Sequence, residues 1–205
     1  MKKFLILLLA LLLLAGCSTQ ESVTPAPAED ASSGTAASDD SAASDGTQED
    51  VFRLTFTAND LEGNPVDQSV FANAKLTMLN VWATFCAPCI NEMPDLGELA
   101  AQGGTDYQII GVCSDLDGSE EMLADARDLV AQTGADYLHL QPSESLYPVL
   151  TATSSVPVTF FFDSEGKVVG NGLLGAQDKE TWAQVLEERL EMVEAGAEVQ
   201  SDGAA

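Results

Sequence analysis

The run Leu76 to Trp82, LTMLNVW, is apolar except at Thr77 and Asn80 and passes directly into ATFCAPCINEMP. Seven residues without polar alternation suit a central strand covered on both faces. Such a strand requires two covering layers. Residues 89 to 101 supply a helix, and Pro94 within it removes a backbone donor and predicts a kink. Tyr107 to Cys113, YQIIGVC, supplies a second buried strand. A strand-helix-strand crossover in one sheet is right-handed and makes its two strands parallel. Active sites in such sheets sit beyond the carboxyl ends of strands, and that is where Cys86 and Cys89 fall.

The flanking segments fill out an α/β domain. Phe52, Leu54 and Phe56 alternate with Arg53 and Thr55, and Leu61-Glu62-Gly63-Asn64-Pro65-Val66 supplies a turn, so an N-terminal β-hairpin is expected. Met122, Leu123, Ala126, Leu129 and Val130 give a helix over 119–133 that Gly134 ends; Tyr137 to Leu140 reads as a short strand, and a helical turn is expected over 143–150. Val158-Thr159-Phe160-Phe161-Phe162 and residues 167–171 flank Asp163-Ser164-Glu165-Gly166 as a hairpin. A closing helix from Asp178 puts Trp182, Val185, Leu186, Leu190 and Val193 on one face, with fraying after Gly196.

The N-terminus belongs to targeting and not to this domain. MKKFLILLLALLLLAGC has Lys2 and Lys3, an apolar run and small residues before Cys17, the layout of a secretion signal. The run from Phe4 to Ala15 is short of the roughly 20 residues that span a bilayer. Leu14-Ala15-Gly16-Cys17 resembles the bacterial lipobox, which implies cleavage before Cys17 and a lipid on its sulfur. Residues 1–16 are then a lipoprotein signal peptide and the mature protein is extracytoplasmic, anchored to the membrane. Residues 17–50 are Ser, Ala, Asp and Glu rich and too poor in apolar residues to offset ordering entropy, so they read as a disordered acidic tether. Losing Lys2 and Lys3 takes the formal charge from −25 to −27, which argues against nucleic acid as a partner.

With Cys17 assigned to lipid, Cys86, Cys89 and Cys113 remain, beside the single His139. A tetrahedral structural zinc site takes four Cys or His ligands, usually in two clusters, and this chain has no second cluster. A disulfide across so small a loop removes little unfolded-state entropy, so a structural staple is weak. Redox chemistry fits better. Cys86 lies at a helix N-terminus, where unpaired N–H groups and the helix dipole favour a thiolate. Cys89, one turn on, can attack a mixed disulfide on Cys86 and release the product. Cys113 reads as a small buried hydrophobe, and His139 as a surface residue.

Trp82-Ala83-Thr84-Phe85-Cys86-Ala87-Pro88-Cys89 with Pro94 resembles the thioredoxin active-site motif, and the longer stretch from Leu79 to Pro94 is similar to the membrane-anchored TlpA-like and ResA-like thiol-disulfide oxidoreductases. The resemblance implies a thioredoxin fold over 51–195, with a central mixed sheet flanked by helices, an N-terminal hairpin and a helix-strand insertion after Cys113; residues 196–205 read as a flexible tail. It implies a cis Val156-Pro157 peptide facing the cysteines, with the Val156 backbone pairing with substrate. Trp82, Phe85, Ala87 and Pro88 complete the expected docking surface. Thioredoxin has a buried aspartate where Asn80 stands; the ResA-like branch uses a glutamate that Glu92 matches, one turn from Cys89 and placed to take its proton. The alternative is a solvated helix glutamate.

The resemblance further implies no cofactor, re-reduction by a membrane electron donor, and protein disulfide substrates such as apocytochromes. Ala87-Pro88 offers the Cys86 thiolate no charged or donating side chain, which favours a reductase. Two rivals stand. A peroxidase of the same fold needs an arginine beside its cysteine, and Arg53, Arg127 and Arg189 lie far away in sequence. A non-catalytic lipoprotein binding module would not need Cys86.

Overall fold

The computed structural model describes residues 52–152 and 154–202, the last six of these by backbone alone. The signal peptide, Cys17 and the acidic tether lie outside the described residues.

A five-stranded mixed sheet organises the domain. Its strands are β3 (Leu76–Trp82), β4 (Tyr107–Cys113), β5 (Leu138–Leu140), β6 (Val158–Asp163) and β7 (Leu173–Leu174), in the order β5-β4-β3-β6-β7. β3 is central, parallel to β4 and antiparallel to β6, and all seven of its residues are buried, as its apolar run requires. A separate two-stranded hairpin, β1 (Thr57–Asn59) with β2 (Pro65–Asp67), precedes the sheet.

Helices α1 (Ala87–Gly103), α2 (Glu120–Thr133) and α4 (Lys179–Asp202) pack on the sheet face that carries Leu76, Met78, Asn80 and Trp82. The opposite face, with Leu79 and Val81, is covered by Leu54, Phe56, Phe71 and the short α3 (Tyr147–Leu150). α1 begins one residue after Cys86, with Pro88 in its first turn, and passes through Pro94 as one helix. Gly134 closes α2 in the left-handed conformation, its N–H bonded to the Val130 carbonyl. Asp178 caps α4 by accepting from Thr181 N–H at 2.8 Å.

Two expectations need correction. The alternating residues 52–56 are not the first hairpin strand: the ladder starts at Thr57, while Arg53 bridges Lys167 and Leu54 N–H bonds the Gly166 carbonyl. Leu54 and Phe56 alternate because they fill the core beneath that loop. Residues 167–171 are not a continuous strand; Val168 makes an isolated bridge to Phe162, and regular pairing resumes only at Leu173. Gly170, at φ 64°, turns the chain away from β6 in between. The last helix, α4, runs to Asp202.

Candidate active site

The carboxyl end of β3 delivers the chain to Thr84 and Phe85, and Cys86 then serves as the N-cap of α1. The Cys86 sulfur accepts the Cys89 N–H at 3.3 Å, and its carbonyl accepts the Ile90 N–H at 3.0 Å. The helix terminus therefore turns a donor onto this sulfur. Cys86 and Cys89 are joined as a disulfide with their Cα atoms 5.3 Å apart. Cys86 is 6% exposed and Cys89 1%, so the first cysteine is the one an incoming sulfur can reach. Phe85, Ala87 and Pro88 are exposed around it, Phe85 at 78%.

The Val156-Pro157 peptide is cis. Val156 is half-buried and packs in the cluster that contains Cys86, Cys89, Trp82 and Cys113. The Pro157 carbonyl accepts from Gly175 N–H, which ties the loop to the end of β7. Trp82 does not belong to the docking surface: it is fully buried, and its indole N–H donates to His139 Nδ1 at 3.2 Å. His139, expected at the surface, is buried as well. Its Nε2 lies 3.0 Å from the Ala135 carbonyl, and burial depresses its pKa to about 4, so it is neutral at ordinary pH. The pair fits because Gly111, in register with His139 between β3 and β5, has no side chain; a Cβ there would stand 2.3 Å from His139 Nδ1.

Glu92 is buried and is not a solvated helix residue. Its Oε1 accepts from Asn80 Nδ2 at 3.0 Å, and its Oε2 accepts from Gln177 N–H and Trp182 Nε1–H, both at 3.1 Å. Burial pushes this carboxyl above the usual range, against the three N–H donors that favour its charge. In the disulfide form Cys89 has no proton to give, and all of these bonds are to nitrogen. Asn80 directs its other hydrogen to Thr159 Oγ1 at 3.1 Å.

Beside the pair, Asp115 accepts from Thr84 N–H at 3.0 and 3.1 Å and from Thr84 Oγ1–H at 2.6 Å, which pins the loop entering Cys86. Cys113 is fully buried, and its thiol donates to Asp115 at 3.3 Å. Burial and the Asp115 charge drive this thiol upward, away from reactivity. The arginines are engaged elsewhere: Arg53 with Glu165, Arg127 with the Leu61 carbonyl and Glu120, and Arg189 over the Phe161 ring. Among the described residues, no group of three or more His, Cys, Asp or Glu could hold a metal ion. Sequence reasoning missed Asp115, Thr159, Gln177 and Trp182. Asp115 lies just past the carboxyl end of β4, where the strand-end rule pointed; Trp182 looked like core, and nothing local revealed where its N–H goes.

Comparison with known proteins agrees with this geometry. Residues 53–170 match the AhpC/TSA family, and residues 1–18 match the prokaryotic membrane lipoprotein lipid attachment site. The chain is 31% identical over 127 residues to the thiol-disulfide oxidoreductase ResA of Bacillus anthracis, covering 61% of this chain and 69% of that protein. It is 32% identical over 140 residues to the thiol:disulfide interchange protein DsbE of Vibrio cholerae, covering 66% and 67%. The crystal structure of the exposed lipoprotein thioredoxin of Streptococcus pneumoniae superposes with a TM-score of 0.52 at 28% identity, covering 65% of this chain and 98% of that one.

Proposed function

The chain belongs to the AhpC/TSA family and is a thioredoxin-fold, membrane-anchored thiol-disulfide oxidoreductase, and from that premise we propose that it works in the reducing direction on protein disulfides outside the cytoplasm. Cys86, as thiolate, attacks a substrate disulfide and forms a mixed disulfide with release of one substrate thiolate. Glu92 takes the proton of Cys89, and the Cys89 thiolate attacks the Cys86 sulfur. The enzyme disulfide forms, the second substrate thiolate leaves, and two electrons have passed to substrate. A membrane electron donor then restores the dithiol. Val156, with Phe85, Ala87 and Pro88, forms the docking rim, which the buried Pro157 shapes from beneath, and disulfide-bearing apocytochromes are the proposed substrates.

The observation that carries the direction is the modest support of the Cys86 sulfur: it accepts the Cys89 N–H, and Ala87-Pro88 adds no charge or donor side chain. A weakly stabilised thiolate gives a dithiol that donates electrons readily. Redox titration of the full chain against glutathione or dithiothreitol tests this. A potential near about −270 mV is expected, and one near about −120 mV would reverse the direction. A Cys89→Ala variant should trap partners as mixed disulfides on Cys86. Rapid peroxide turnover with a thiol donor would replace the reductase by a peroxidase.

A further inference from the structure

Asn80, Gly111, Thr159 and His139 form one row across the sheet: Asn80 is in register with Gly111 on β4 and with Thr159 on β6, and Gly111 with His139 on β5. Asn80 and Thr159 are each 1% exposed, so this chemistry runs without bulk water. On the β4 side Asn80 meets a residue with no side chain, and the His139 Nδ1 beyond it is occupied by the Trp82 indole. On the β6 side stands the Thr159 hydroxyl.

We propose that Thr159 and Asn80 are positioning residues for Glu92: Thr159 Oγ1 accepts one hydrogen of the Asn80 amide and so keeps the other on Glu92 Oε1. An asparagine amide presents N–H or C=O according to a half-turn about its last torsion. With Thr159 Oγ1 acting as acceptor, as it does here, N–H is the group that Asn80 presents to Glu92. The indole N–H of Trp182 and the N–H of Gln177 are donors only, and both stay on Oε2, so a proton arriving on Glu92 settles on Oε1. Asn80 therefore governs the oxygen that is protonated, and holding its N–H there favours the carboxylate that must take the Cys89 proton. A freed amide would turn Oδ1 toward a protonated Oε1 and favour the acid instead. This deepens the proposed role of Glu92 and rests on it.

The other ionisable groups that act on Glu92 are Asp95 on α1 and Tyr137 just before β5; Cys89, one turn away on α1, is held in the disulfide of the oxidised protein and does not titrate. Substitution at Thr159 leaves all of them in place. The test is the titration of the Glu92 carboxyl in the oxidised full-length protein, followed by infrared spectroscopy and assigned by its loss in Glu92→Gln. Thr159→Val is expected to raise the midpoint by about one pH unit, and Thr159→Ser to stay within about 0.3 unit of the parent. Thr159→Ala repeats the loss of the hydroxyl if the valine disturbs packing. An unmoved midpoint in Val and Ala would overturn the assignment, as would a shift in Ser as large as theirs. Because the protein is oxidised, the result is independent of thiol chemistry. Failure of the Glu92 role itself would show separately, as Glu92→Gln resolving mixed disulfides with the parent's pH dependence.

Discussion

Replacing Trp182 by Phe should destabilise the protein by an amount that grows with pH. Trp182 is fully buried on α4, and its indole N–H donates to Glu92 Oε2 at 3.1 Å. The smaller ring loses packing at every pH. The lost hydrogen bond is different, because a bond to an ionised acceptor contributes about 1.5–3 kcal/mol and one to a neutral acceptor about 0.5–1.5 kcal/mol. The pH-dependent part is then about 1 kcal/mol, and the Glu92 pKa should rise by about 0.7 unit. The folded pKa of Glu92 already lies above its ordinary value of 4.5. The folded state therefore keeps a proton that the unfolded chain releases, so this contribution is full below 4.5 and is lost as pH rises through the folded pKa. In Trp182→Phe the decline should continue to higher pH and go deeper by about 1 kcal/mol. Urea unfolding of the oxidised parent and variant from about pH 5 to about pH 8 gives the difference directly, since the many surface carboxylates cancel between them. A gap of constant size across that range would refute the reasoning.

Gly111→Ala should cost about 2–5 kcal/mol in the same unfolding assay, since its Cβ would displace the His139 ring and leave the Trp82 N–H without its acceptor. A loss below about 0.5 kcal/mol would show that the pair relaxes freely. Cys113 should resist alkylation in the reduced protein while Cys86 reacts, as read by mass spectrometry after a short iodoacetamide pulse; equal labelling would contradict its burial and raised pKa.

Local pattern revealed the parts of the fold that are locally determined. LTMLNVW and YQIIGVC became strands at their expected limits because two buried faces leave an apolar run no other use. The cysteine loop was legible for the same reason: strand, Pro88 and helix follow one another without a gap. Phe52, Leu54 and Phe56 misled because alternation marks one buried side and says nothing of hydrogen-bond partners, which here are Gly166 and Lys167, more than a hundred residues on. His139 misled by a related route, since a polar residue in a short strand is assigned to solvent unless a buried partner such as the Trp82 indole is known. The site was readable down to Glu92 and stopped there. Gln177 and Trp182 reach that carboxyl from positions 85 and 90 residues away, Thr159 reaches the Asn80 amide beside it, and only folding brings their donors and acceptors to one place.

The two margins of the sheet bear on how copies of this lipoprotein share a membrane surface. Anchored molecules meet at high two-dimensional density, and a bare strand margin would offer each neighbour a row of amides to add to. Here β7 is two residues long, and β5 is three residues long with Leu140 bridged by Asp60 and the following Gln141 N–H taken by the Asn59 carbonyl. Little unpaired backbone is left for a second copy to extend. Crowding on the membrane therefore need not lead to strand-on-strand aggregation.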